Sequence, residues 1–245
     1  MPTRRSRRPR DSPTRFCPTP IKEGERPSPE QTLALYDGEI RYADHCFGDV
    51  LATLKRRNLY DRTWIIVTAD HGELFGEHGL KGHGSVPYQE VIHVPFVSKP
   101  PRGDGGLGER SDWVQLTDVM PMVLERLGRP RPEGIQGGVP PRLGRPLVVE
   151  SRTLAALYPK GDWLAIIDGD WKLMWNSQGH SELYDLARDP HEQNNLIAVE
   201  VERAATLERT MTAYVAALPR SQGTEQAGTV DAATQEALKS LGYIH

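Results

Sequence analysis

The chain has 245 residues, 38% hydrophobic and 26% charged, with a formal charge of −3 and a mean hydropathy of −0.54. That is ordinary globular composition, enough for one large domain or two small ones, and no apolar run reaches the roughly 18 residues a membrane-spanning helix needs. Its 23 glycines and 20 prolines mark much of the chain as turn and loop, where binding and catalytic groups concentrate. Cys17 and Cys46 fall in no C-x-x-C or Cys/His spacing, so neither a disulfide framework nor a zinc site is encoded.

In chain order, residues 1–29 hold seven prolines, and the first fifteen hold six arginines against Asp11 alone. This reads as a disordered basic leader rather than a nucleic-acid arm, and without an apolar stretch behind the arginines it is not a secretory signal. From Ser28, the apolar residues Leu33, Tyr36, Ile40, Ala43, Phe47, Val50, Leu51 and Leu54 recur every three or four positions, predicting a helix from about Glu30 to Arg57 with a stop at Asn58. Cys46 beside that stripe is assigned to core packing. The run from Trp64 to Thr68 has the pattern of a strand buried on both faces. Pro95 demotes Val91–Val97 to a short or edge strand, and Val114–Leu116 is a further strand candidate. Asp118 is the expected N-cap of a helix with Pro121 in its first turn.

After a Gly/Pro/Arg-rich stretch over 129–146 the chain changes character. The runs 163–167 and 171–175 flank an Asp-Gly turn and predict a hairpin, which Glu182–Leu186 extends. A helix with one apolar face is expected from Ile197 to Leu218, then a short one near Asp231–Leu241.

The chemistry concentrates after the Trp64–Thr68 strand. Asp70 and His71 stand at its carboxyl end, where ligands bind in open α/β sheets, and a carboxylate beside an imidazole is a common divalent-metal arrangement. Lys81, His78 and His83 follow within 13 residues of His71, interleaved with glycines that let donors approach an anion closely. Glu73 and Glu77 are read as solvated, as are Asp37, Glu39 and Asp44 on the first helix.

Three segments then carry a family resemblance: Tyr36-Asp37-Gly38-Glu39 through Asp44; Ile65 to Glu73, running on through Gly76-Glu77-His78-Gly79 and Gly82-His83-Gly84 to Tyr88-Gln89-Glu90 and His93-Val94-Pro95; and Glu182-Leu183-Tyr184-Asp185 through Glu192 with Asn195-Leu196. In this order they resemble the sulfatases of the alkaline-phosphatase-like superfamily. The resemblance implies an α/β fold: part of a mostly parallel sheet with helices, followed by a small antiparallel sheet with a packed helix. It divides the chain into a leader (1–29), the C-terminal part of a catalytic α/β domain (30–147) and a small α+β subdomain (148–245).

It also implies sulfate-ester hydrolysis by a formylglycine nucleophile against Ca2+ or another divalent cation. Asp70 and His71 would be metal ligands, and His83 or its rival Lys81 would contact sulfate. The implied partner is a sulfate ester of an aryl or carbohydrate alcohol, with no nucleic acid. Neither Cys17 nor Cys46 lies in the family's C-x-P-S-R motif, so the nucleophile is expected to be absent, the metal weakly held, and the chain a truncated or inactive form that needs the missing N-terminal half. A phosphodiester or phosphonate ester hydrolase of the same superfamily is the alternative, and a non-catalytic remnant the rival from outside enzymology. Family members are often periplasmic or secreted, while the chain itself encodes no address.

Overall fold

The computed structural model describes residues 26–84, 86–105, 108–140, 145–152, 161–218 and 231. The described residues up to Thr212 form one compact unit, and the second, Ala213–His245, is described only over 213–218 and at Asp231. The leader before Arg26, Cys17, and all of the expected closing helix except Asp231 lie outside the described residues.

Helix α1 spans Pro29–Arg56 and opens with a capping box. The Gln31 N–H donates to Ser28 Oγ at 3.2 Å, and the Ser28 N–H to Gln31 Oε1 at 2.8 Å, with Pro29 where no N–H is needed. Asn58 ends it in the left-handed region, φ 54°, the ordinary way for a helix to stop. Much of the apolar stripe is uncovered: Leu33, Ile40 and Val50 are 46%, 54% and 53% exposed, while Phe47, Leu51 and Leu54 are half-buried. Cys46 is exposed for the same reason, which corrects the expectation of core packing.

Strand β1 (Ile65–Thr68) and β4 (Phe96–Lys99) form an antiparallel ribbon, Ile65 opposite Lys99 and Thr68 opposite Phe96. Burial of β1 on both faces is not observed, because two strands leave one face open: the opposed pair Val67 and Val97 are 36% and 59% exposed. All strand pairs among the described residues are antiparallel. Pro95 splits its apolar run into a helical turn, α2 (Gln89–Ile92), and the start of β4. The expected strand at Val114–Leu116 is absent, since Leu116 begins α3 (Leu116–Arg126). Gln115, not Asp118, is the N-cap. Asp118 sits fully buried one turn in, accepting the Gln115 N–H at 2.9 Å and the Gly138 N–H at 2.7 Å, so Pro121 falls past the first turn. A buried carboxylate needs such donors, and this position supplies two.

The second layer is a four-stranded antiparallel sheet in chain order: β5 (Leu147–Arg152), β6 (Asp162–Asp168), β7 (Trp171–Asn176) and β8 (Glu182–Asp185). β6 and β7 meet at the predicted turn, with Gly169 at φ 59°. Both faces of the sheet are covered. Trp163, Ala165, Met174 and Tyr184 pack with Val86 and Tyr88 on one side; Ile166, Leu173 and Leu183 pack with Ala204, Leu207 and Met211 of α4 (Val201–Ala216) on the other.

An ion pair lies inside this core. Lys172 on β7 and Glu192 after β8 have side chains that are 0% exposed, with Nζ 2.6 Å from Oε1. The approach is off the hydrogen-bonding direction, so the contact is charge on charge. Glu192 Oε2 accepts the Gln89 N–H at 2.6 Å, and Glu192 itself is held at φ 52°. Burial pushes the Lys172 ammonium down and the Glu192 carboxyl up, while their mutual attraction opposes both shifts.

Three outcomes are expected. Lys172→Met leaves a buried carboxylate unpaired and lowers unfolding free energy by about 3–5 kcal/mol, read from urea denaturation. Lys172→Met combined with Glu192→Gln removes both charges, keeps an acceptor for Gln89, and recovers at least half of that loss. In hydrogen exchange, amides from Leu164 to Trp175, covered on both faces, are protected more than those from Ile65 to Thr68; equal or reversed protection contradicts the layering.

Candidate functional site

The loop after β1 is ordered by a short hairpin not foreseen from sequence. β2 (Leu74–Phe75) pairs with β3 (Lys81–Gly82), with Leu74 opposite Gly82. Continuing that register by one residue sets Glu73 opposite His83, and the two side chains meet: His83 Nδ1 is 2.8 Å from Glu73 Oε2. Glu73 is therefore half-buried and paired rather than solvated. The five-residue connection turns with Gly76 and Gly79 at φ 138° and 72°, and the Phe75 N–H donates to Glu77 at 2.6 Å.

His71 joins this pair through its ring, which stacks on His83 with centroids 4.1 Å apart. Its Nδ1 lies 2.9 Å from the Gly72 carbonyl. A carbonyl only accepts, so Nδ1 carries the proton and Nε2 holds the lone pair. Asp70 is farther out, its side chain 76% exposed, with Oδ1 accepting the His71 N–H at 3.0 Å. Ligand atoms of His71, Glu73 and His83 lie within 4.8 Å of one another, a three-donor group able to hold a metal ion. Of the residues singled out in the sequence, the fold thus gathers His71 and His83, leaves Asp70 at the margin, and sets Lys81 exposed on β3.

The loop is clamped from behind. The Gly72 N–H donates to the Val91 carbonyl at 2.7 Å, and a Cβ at Gly72 would fall 2.0 Å from the Glu90 carbonyl oxygen. His78 stacks flat on Tyr88, centroids 3.6 Å apart, and its Nε2 is 3.3 Å from Glu90. Tyr88 and Tyr184 both donate to Glu182, at 2.8 and 2.7 Å. Burial and that carboxylate push both phenols well above their ordinary range. His78, Glu90 and Glu192 form a second three-donor group, but Lys172 already lends it a positive charge. A cavity of about 430 Å³ opens beside Asp70 and His71, walled largely by apolar groups including Ile92, Trp113 and Leu147; Gln89 also lines it, and its Oε1 is buried and unpaired among the described residues.

The nucleophile expected of the resemblance does not fit: Cys46 lies exposed on α1 and is followed by Phe47-Gly48-Asp49, and Cys17 is outside the described residues.

The family model for sulfatases matches residues 2–128, just over half the chain. The uncharacterized sulfatase YidJ of Escherichia coli (strain K12) is 28% identical over 186 residues, covering 70% of this chain and 36% of the relative. The multifunctional alkaline phosphatase superfamily protein PehA of Trinickia caryophylli is 37% identical over 119 residues, covering 48% of this chain and 22% of the relative. Among solved structures, the phosphonate monoester hydrolase of Agrobacterium radiobacter superposes with a TM-score of 0.65 at 25% identity, over 76% of this chain and 41% of that one. The chain thus spans well under half the length of these proteins. The α/β class is that of the neighbours, and with the matched model it shows that the chain belongs to the sulfatase family.

Proposed function

We propose that the chain carries the metal- and anion-binding part of a sulfate-ester hydrolase, with residues 30–147 bearing the site and 148–245 supporting it. The observation that carries this reading is the gathering of His71, Glu73 and His83 at the carboxyl end of β1, next to Asp70 and Lys81. Asp70 and His71 are the proposed metal ligands; Lys81 and His83 are the two candidates for meeting the sulfate. A divalent cation bound here would supply Lewis-acid polarisation of the ester's oxygens. The chain's own cationic groups orient the anion and offset charge that builds up as the alcohol departs. The cavity against Trp113 takes the alcohol portion, and its apolar walls suit an aryl group better than a sugar. No step is assigned to a formylglycine, since neither cysteine stands in its motif, and the nucleophile is not assigned among the residues of this sequence.

His71 in the metal pair, with the likeness to PehA and to a phosphonate monoester hydrolase, favours a phosphodiester or phosphonate ester as the second reading.

The test is calorimetry and turnover on the pure chain with one divalent cation present. An aryl sulfate is expected to bind, to weaken roughly tenfold with Lys81→Ala or His83→Ala, and to turn over only when a nucleophile-bearing segment is added. Binding and turnover of an aryl phosphodiester in preference to the sulfate establishes the second reading instead. Steady turnover by the chain alone refutes the need for a complement.

A further inference from the structure

We infer that Glu192 is a positioning residue for the anion site: its outer oxygen caps α2 from another part of the chain, and α2 in turn holds the Gly72 amide between His71 and Glu73. The inference rests on the sulfate-ester reading above and adds to it a residue that touches neither the ester nor the side chains that meet it.

Helix α2 is a single turn, too short to hold itself in water. Its own bonds run from the N–H groups of Val91 and Ile92 to the Tyr88 carbonyl, at 2.9 and 3.0 Å, and from the His93 N–H to the Gln89 carbonyl at 2.8 Å. The Gln89 N–H is one of the donors that a helical turn leaves unpaired at its start, and Tyr88 before it offers no side-chain cap. Glu192, 103 residues further along, accepts that N–H at 2.6 Å.

Helix α2 passes its position to the loop by backbone contact. The Val91 carbonyl receives the Gly72 N–H at 2.7 Å, and a Cβ at Gly72 would fall 2.0 Å from the Glu90 carbonyl oxygen, so the two segments lie too close for one to shift without the other. The Gly72 carbonyl stands 2.9 Å from His71 Nδ1. A turn of this peptide therefore swings the His71 ring, which is stacked on His83 at 4.1 Å.

Stability does not account for Glu192. A fully buried ion pair gains little over apolar groups of the same volume, and here the ammonium approaches Oε1 off the hydrogen-bonding direction. The residue is also held at φ 52°, a conformation that is unfavourable for a side chain with a Cβ and persists only where the surroundings impose it. Two unfavourable features thus meet in one residue whose other oxygen holds a backbone amide. Lys172 serves to keep that carboxylate in place inside the core.

The experiment compares Lys172→Met/Glu192→Gln with Lys172→Met/Glu192→Met in the full chain. Both remove the two charges and keep the reach of side chain 192, but only glutamine retains an oxygen for the Gln89 N–H. Amide hydrogen exchange is read at Gly72 against the core amides from Leu164 to Trp175, and aryl sulfate affinity by calorimetry with one divalent cation present. In the glutamine variant both readings are expected to stay within about threefold of the unmodified chain. In the methionine variant Gly72 exchanges roughly tenfold faster or more and aryl sulfate binds roughly fivefold more weakly, while the core amides keep their protection. A general loss of stability would move the core amides as well.

If the methionine variant does not fold, Gln89→Pro deletes the N–H and leaves both charges, at a first-turn position that suits proline. It is expected to exchange Gly72 roughly tenfold faster than Gln89→Ala does. Equal Gly72 exchange in the two double variants, or in Gln89→Pro and Gln89→Ala, overturns the inference, as does faster Gly72 exchange with unchanged aryl sulfate affinity. The expected Gly72 pattern in a chain that binds no aryl sulfate removes the proposed function and leaves the link from Glu192 to Gly72 standing. Aryl sulfate binding that is indifferent to Glu192 does the reverse.

Discussion

One charge contact underlies the geometry of the site: the Lys172 ammonium against Glu192 in the interior of the second layer. From it a continuous series of short contacts leads outward. The free oxygen of Glu192 receives the Gln89 N–H and so fixes the first residue of α2. The carbonyl of Val91 in that helix receives the Gly72 N–H, and Gly72 separates His71 from Glu73. A carboxylate more than a hundred residues away thereby sets the backbone between His71 and Glu73 without touching either. The fully buried pair is weak evidence for net stability, because desolvation offsets much of its attraction. Its role here is positional, holding one loop in one place.

The same region carries more negative than positive charge. Glu90, Glu182 and Glu192 surround the single ammonium of Lys172, and the fold meets the excess with hydrogen-bonding groups. Two phenols donate to Glu182, a histidine edge faces Glu90, and a backbone amide faces Glu192. Hydrogen bonds to ionised groups are the stronger kind, and spreading them over three carboxylates allows one cation to suffice. The wall behind the site is therefore acidic, with each of its three carboxylates meeting at least one donor.

Much of this was legible in the sequence. The capped start of α1, the Asp-Gly hairpin, β8 and the apolar face of α4 each follow from local rules in which neighbouring residues decide the outcome. Asp70, His71, Lys81 and His83 could be named because strand ends and glycine-spaced donors are readable signals. What failed was non-local. The two-residue strands β2 and β3 carry no periodicity, so the Glu73–His83 contact was invisible, although spacing of the two about a five-residue glycine-containing turn was a usable hint. β5 follows a proline-rich stretch that masks its start. Lys172 reads as a lone cation in an apolar strand; only the packing of Val86 and Tyr88 over the face it shares with Met174 reveals that it is enclosed. Burial of β1 was overestimated because composition tells what a strand could face, not what is there to cover it.

Position 192 has a consequence for how this fold tolerates drift in its sequence. Its backbone occupies the left-handed region at φ 52°, where glycine rests without penalty and a side chain with a Cβ is disfavoured by about 1–2 kcal/mol. Glycine would relax the chain there and delete the carboxylate; asparagine and aspartate, the residues that bear this conformation best after glycine, are one methylene too short to span from the turn to both Lys172 and Gln89. The substitutions that the backbone favours are the ones the interior forbids, and the reverse holds as well. A position caught between two such demands has almost no neutral neighbours in sequence space. It would stay fixed in descendants of this chain for as long as the loop it holds remained under selection, whatever became of the chemistry at the surface.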